Sequence, residues 1–116
     1  MLKFYQYPKC STCKKAKKFL EEKGLAFKEI NIKEKTPTLS ELKLTLSAYN
    51  GELKKLFNTS GMIYRDLNLK EKVDEMKLNE AFKLLKENGM LIKRPFLISK
   101  DIQLVGFKEE EWIAAL

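Results

Sequence analysis

Short apolar runs and helical stripes alternate along the chain and divide it into elements. Leu2 to Tyr5 is a compact apolar run that predicts a strand, with Tyr7-Pro8 as the turn after it. Cys13, Ala16, Phe19 and Leu20 then recur at helical spacing on one face, and the pattern ends near Lys23, where Gly24 supplies a stop. Residues 26–32 mix apolar and polar positions in the manner of a second strand. Strand, helix, strand is a βαβ unit, so the two strands are expected to run parallel.

The middle of the chain reads as helical. Pro37 and the pair Thr38 and Glu41 carry the signature of a capping box ahead of a stripe formed by Leu39, Leu42, Leu46 and Tyr49. Gly51 interrupts the stripe, and Leu53, Leu56 and Phe57 begin another short helical piece. Asn58 to Gly61 turns the chain into the segment Met62 to Arg65; a further helix then presents Leu78, Ala81, Phe82 and Leu85 and is closed by Asn88-Gly89. Phe96–Ile98 and Ile102–Val105, joined by Ser99-Lys100-Asp101, predict a tight antiparallel hairpin. Gly106 leaves it, and Glu109, Glu110 and Glu111 suit the first turn of a last helix docking through Trp112, Ile113 and Leu116. No repeat, low-complexity stretch or linker intervenes, and 116 residues are enough for one core but too few for two. The expectation is a single domain over residues 1–116, with a helical block inserted at about 38–90. Strands on both sides of that block give an α/β, thioredoxin-like architecture with a four-stranded mixed sheet.

Charge changes this picture little. The formal net charge is +7, but residues 1–58 hold 13 Lys against 6 acids while residues 59–116 are balanced at 10 and 10. Much of the excess is Lys interleaved with Glu on a helix, which describes a solvated face rather than a nucleic-acid surface. No direct nucleic-acid binding is expected. The apolar stretches are too short to span a bilayer and no export signal precedes the first strand, so a cytoplasmic, monomeric protein without a membrane partner is expected.

Chemistry concentrates at Cys10-Ser11-Thr12-Cys13, which contains the only two cysteines. Two thiols three positions apart on a strand-to-helix turn can close a disulfide. At the helix start, backbone N–H groups and the helix dipole favour a thiolate, so Cys10 is the candidate nucleophile. Lys9, Lys14, Lys15, Lys17 and Lys18 add five cations within ten residues and can attract an anionic partner. Cys13 lies on the apolar face and is the candidate resolving thiol. Other readings compete. A zinc site needs four ligands, yet the chain has no histidine and no third cysteine, so two chains would have to share the ion. An inert disulfide suits a secreted protein, for which no signal is present. Two unrelated buried thiols are a third alternative. Arg94-Pro95, just before the hairpin, is a second constellation: proline cannot donate to a ladder, so it caps the strand edge or adopts a cis bond beside a site. Arg65 and Arg94 are the only arginines among 23 basic residues, a choice that suits forked, planar recognition.

Residues 7–16, Tyr-Pro-Lys-Cys-Ser-Thr-Cys-Lys-Lys-Ala, together with Arg94-Pro95 and Val105-Gly106-Phe107, resemble the glutaredoxin-related arsenate reductase (ArsC) family, which includes the Spx-type redox regulators. The resemblance spans essentially the whole chain. It implies a thioredoxin-like fold, a catalytic cysteine at Cys10, anion-binding roles for Lys14, Arg65 and Arg94, and a cis-proline at Pro95. It also implies no bound cofactor or metal, and a thiol reductant such as glutathione, glutaredoxin or thioredoxin as electron donor. The departures are specific. Family arsenate reductases follow the cysteine with Gly-Thr-Ser-Arg, whereas Ser11, Thr12, Cys13 and Lys14 follow here, and no arginine stands near Gly106-Phe107. The Cys-x-x-Cys form matches the Spx-like branch, whose members touch RNA polymerase; Gly51 falls near a glycine used at that contact, but the C-terminal extension of that branch is not matched. The expectations are thiol-disulfide exchange by Cys10 and Cys13, with a polymerase-binding redox regulator and a glutaredoxin-dependent arsenate reductase as alternatives.

Overall fold

The computed structural model describes residues 1–116. Four strands, β1 (Leu2–Gln6), β2 (Phe27–Asn31), β3 (Phe96–Ile98) and β4 (Gln103–Val105), form one sheet in the order β2-β1-β3-β4. β1 pairs parallel with β2 and antiparallel with β3, and β3 pairs antiparallel with β4. This is the mixed α/β sheet expected from the sequence. The helices are α1 (Ser11–Glu22), α2 (Leu39–Ala48), α3 (Met62–Asp66), α4 (Leu78–Glu87) and α5 (Glu109–Ala115), with short 3₁₀ turns between α2 and β3.

Strand alternation splits the core into two layers. Leu2 and Phe4 of β1, with Leu97 and Leu104, face Ala16 and Leu20 of α1 and Trp112 of α5. Phe19, Phe107 and Trp112 meet edge-to-face there, and the Trp112 indole N–H donates to the Gly106 carbonyl at 3.1 Å. On the other side Tyr5, Ile30, Phe96, Ile98 and Val105 pack against the helical block. All three β3 residues are buried, as a central strand covered on both faces requires.

The ends of the helices follow from local chemistry. Gly24, at φ +68°, closes α1: its N–H bonds to Glu21 and the Leu25 N–H reaches Leu20, the pairing of a Schellman motif. Thr38 and Glu41 complete both halves of the capping box at α2, at 3.1 and 2.9 Å. Glu41 also accepts from the Tyr5 hydroxyl at 2.7 Å and pairs with Lys3 at 3.0 Å, tying α2 to β1.

Several expectations are corrected. Leu39, Leu78 and Ile113 are 41, 53 and 54% exposed. Leu39 and Leu78, the first residues of α2 and α4, border an open groove between those helices instead of a packed neighbour. Thr45 takes the buried place on α2 instead. Gly89 does not close α4 through a left-handed turn; Asn88 caps the helix, and Gly89 is required because a Cβ there would overlap the Ile32 carbonyl.

Candidate active site

The cysteine turn is built by backbone hydrogen bonds at the end of β1. The Tyr7 carbonyl accepts the Cys10 N–H at 3.0 Å, folding the chain back so that Cys10 is extended (φ −91°, ψ 114°) and becomes the N-cap of α1. The Lys14 N–H then bonds to the Cys10 carbonyl at 3.2 Å, and the helix begins. Cys10 caps with sulfur: its Sγ accepts the Cys13 N–H at 3.3 Å. Both residues are free thiols, Cys10 half-buried and Cys13 buried on the face shared with Ala16 and Leu20.

The two thiols differ in electrostatic setting. Burial first, then hydrogen bonding to Cys10, pushes the Cys13 thiol up to about 12. The Tyr7 backbone and the Arg94 guanidinium pull the other way without overcoming them. Near neutral pH Cys13 is therefore held as a buried thiol, and the accessible sulfur is the one at the helix start. Such an arrangement can hold a nucleophile and a proton-bearing partner side by side.

Arg94 reaches this turn from the segment before β3. Its guanidinium lies 5.7 Å from the centre of the Tyr7 ring, and its Nη1 donates to the Met90 carbonyl at 3.2 Å. Its Nε is buried without a protein partner. The Arg94-Pro95 peptide is cis, and the buried Pro95 accepts the Gly106 N–H through its carbonyl at 2.8 Å. Arg94 thus lies on the Tyr7 ring, and the Tyr7 carbonyl holds the Cys10 N–H. Lys14 is exposed in the first turn of α1. Arg65 sits on α3 with a largely exposed side chain, and its ion partner is its neighbour Asp66 at 3.9 Å. No group of three His, Cys, Asp or Glu side chains converges as a metal site, and no helix is long and apolar enough to cross a membrane.

Two contributors escaped the sequence reading. Tyr7 was legible as the start of a turn and of the family-like stretch but not as a positioning residue, yet its carbonyl positions Cys10 and its ring carries Arg94. Met90, four residues before Arg94, supplies the carbonyl and a thioether sulfur 3.9 Å from Nη1. The available signal was an aromatic residue beside the cysteine turn combined with one isolated arginine.

Known proteins are similar to this one over nearly the whole chain. Over 111 residues the chain is 52% identical to the uncharacterised protein YusI of Bacillus subtilis, covering 96% of this chain and 94% of that one. It is 33% identical to the global transcriptional regulator Spx of Enterococcus faecalis, covering 96% of this chain and 83% of the regulator. A crystal structure of a possible arsenate reductase from Streptococcus mutans superposes with a TM-score of 0.87 at 43% identity, over 97% of this chain and 98% of that one. The sequence pattern of the ArsC family matches residues 5–115, and with the mixed sheet and the Cys10–Cys13 turn in place the chain belongs to the ArsC family.

Proposed function

We propose that the protein is a thiol-disulfide oxidoreductase in which Cys10 attacks an oxidised substrate and Cys13 resolves the mixed species as an internal disulfide. The observation that carries this reading is the pairing of a half-buried capping sulfur, which accepts the Cys13 N–H at 3.3 Å, with a second cysteine whose own sulfur is buried on the apolar face, where burial pushes the thiol up. Cys10 acts at the surface; Cys13 waits on the apolar face until a mixed disulfide forms. A cellular thiol reductant, such as glutathione, glutaredoxin or thioredoxin, restores the dithiol. The test is NADPH-coupled turnover of a small disulfide with each donor system, wild type against Cys10→Ser. Cysteine-dependent turnover is expected. Equal rates for the two proteins would refute the mechanism.

A second reading is a redox regulator of the Spx type, in which disulfide closure changes a binding surface. It is supported by the Spx relatives and by a groove of about 1150 Å³ between α2 and α4, where Leu39, Leu46, Leu78 and Phe82 lie beside Gly51. This reading expects oxidised and reduced protein to differ in affinity for RNA polymerase. Equal binding would exclude it. Arsenate reduction is less well supported, because of the two arginines only Arg94 has contacts at the cysteine turn, while Arg65 is paired with Asp66. Arsenate turnover surviving Cys13→Ser but lost in Arg94→Ala would favour it.

A further inference from the structure

Between the end of α2, the 3₁₀ turn Leu53–Leu56, β4 and the start of α5 lies a cavity of about 380 Å³, distinct from the groove between α2 and α4. Phe57 and Val105, both buried, and the half-buried Tyr49 give it apolar surface. Lys54, Lys55, Lys93 and Lys108 line it together with Thr59, so four cations stand against the two acids Glu52 and Glu111.

Hydrogen bonds fix its walls. Phe57 and Ile92 form an antiparallel bridge, with the Asn58 N–H on the Leu91 carbonyl at 2.7 Å and the Lys93 N–H on the Leu56 carbonyl at 2.8 Å. The Tyr49 hydroxyl accepts the Val105 N–H at 3.1 Å and donates to Glu111 at 2.9 Å, which commits one of the two acids to the wall itself. Lys93 is half-buried, and its stem runs along Gly106, where a Cβ would come within 3.0 Å of the lysine Cε. The cavity is thus preformed, as small-molecule sites usually are.

The charges around it are unbalanced. Lys54 pairs with Asp74 at 3.8 Å, whereas Lys55, Lys93 and Lys108 form no ion pair. A half-buried ammonium such as that of Lys93 gives up hydration without a compensating carboxylate, and an entering anion would supply the missing partner. No arginine lines the cavity, so forked recognition of a planar carboxylate is not available there. Ammonium groups act instead as point charges, which suits a tetrahedral phosphate. We propose that this cavity binds a small phosphate monoester, with the phosphate among Lys55, Lys93 and Lys108 and the apolar body against Phe57, Val105 and the Tyr49 ring. None of the residues to which the family resemblance gives anion-binding roles, Lys14, Arg65 and Arg94, lines this cavity. The site stands apart from the cysteine chemistry, and its test does not depend on the thiol-disulfide reading.

Phenyl phosphate, which carries about two negative charges near neutral pH, is the probe, and amide shifts of the ¹⁵N-labelled protein are the readout. Saturable shifts are expected at Thr59, Lys93, Val105 and Gly106. Lys93→Gln and Lys108→Gln should each weaken binding about three- to tenfold, as loss of one charge-assisted contact does, while Lys100→Gln, on the β3–β4 turn, should leave it unchanged. Added salt should weaken it further. Inorganic phosphate, which lacks the ring, and phthalate, a planar dicarboxylate, should both bind more weakly than the ester. Equal affinity for inorganic phosphate would remove the role of the apolar surface, and equal affinity for phthalate would remove the preference for phosphate; either overturns the proposal. So does an affinity untouched by both lysine variants, or a set of shifts centred on Cys10 and Arg94 instead of this cavity. Should the half-buried Lys93→Gln fail to fold by circular dichroism, the exposed Lys108→Gln decides alone.

Discussion

Two helices of this protein begin in the same way and for different ends. At α2 the Thr38 side-chain oxygen accepts the N–H of Glu41 at 3.1 Å; at α1 the Cys10 sulfur accepts the N–H of Cys13 at 3.3 Å. Both satisfy an orphan donor three residues along. The α2 cap is then closed from every side, as Glu41 returns a bond to the Thr38 N–H and receives Tyr5 and Lys3. The α1 cap has no returning carboxylate, and no acid lies in its first turn. A cap saturated by oxygens fixes a helix, whereas one made by a single sulfur leaves its acceptor able to react. On the proposed thiol-disulfide reading, stability and reactivity are placed at two equivalent positions of one fold.

The sharpest way to break the comparison is to exchange the capping atoms. Cys10→Ser keeps a good N-cap, so stability should stay within about 1 kcal/mol of wild type, while disulfide turnover should fall by at least about a thousandfold. Chemical denaturation and the NADPH-coupled assay measure the two quantities on one sample. A serine variant as unstable as it is inactive would show that the sulfur serves the fold rather than reactivity.

At the other start the effects should be reversed. Glu41→Ala removes half of the capping box and leaves the Tyr5 hydroxyl, on a buried residue, without its acceptor, so a loss of about 2–3 kcal/mol is expected from denaturant midpoints. Thr38→Ala removes one cap bond alone and should cost about 1 kcal/mol. Both variants should keep wild-type Cys10 alkylation rates, because the Thr38 and Glu41 side chains bond to each other's backbone N–H, and Glu41 to Tyr5 and Lys3, and neither bonds to a cysteine. A Thr38→Ala protein with slowed alkylation would couple the regions and undo the distinction.

Much of this was readable from local sequence. Thr38 and Glu41 sit at the spacing of a capping box, Gly24 and Gly106 stand where positive φ is needed, and the cysteines follow a strand directly. Each of these signals depends on residues a few positions apart. The features that escaped reading join distant segments. Arg94 lies on Tyr7, the Tyr49 hydroxyl donates to Glu111 at 2.9 Å, and Gly89 backs onto the Ile32 carbonyl. None leaves a period or spacing in the chain, because its meaning comes from whichever segment the topology brings alongside. Leu39 and Leu78 fail for the related reason that periodicity assigns a face to a residue but not a neighbour to that face.

The smallest predicted effects concern pH, where the two helix starts should respond with opposite sign. Burial raises the Cys13 thiol from an ordinary 9.0 to about 12, so the unfolded chain gives up this proton first and the folded state loses stability as pH rises through that interval. Glu41 behaves inversely. Burial opposes its ionisation, but the Thr38 backbone, the Tyr5 hydroxyl and Lys3 together hold its carboxyl below the usual range of 4.5. Its contribution is present above the unfolded value and is lost as pH falls through the folded one. Cys13→Ala should therefore flatten the alkaline limb of a stability–pH curve and leave the acid limb alone, whereas Glu41→Gln should flatten the acid limb and also alter the alkaline one, because burial and then the Glu41 carboxylate hold the Tyr5 hydroxyl above its usual range. Tyr49 adds to the alkaline limb, since burial and its bond to Glu111 push it up to about 12 against the pull of the Val105 N–H, so Cys13→Ala alone should leave residual slope there. An alkaline limb unchanged by Cys13→Ala would mean that the buried thiol is not held in its protonated form, and the asymmetry between the two cysteines would lose its physical basis.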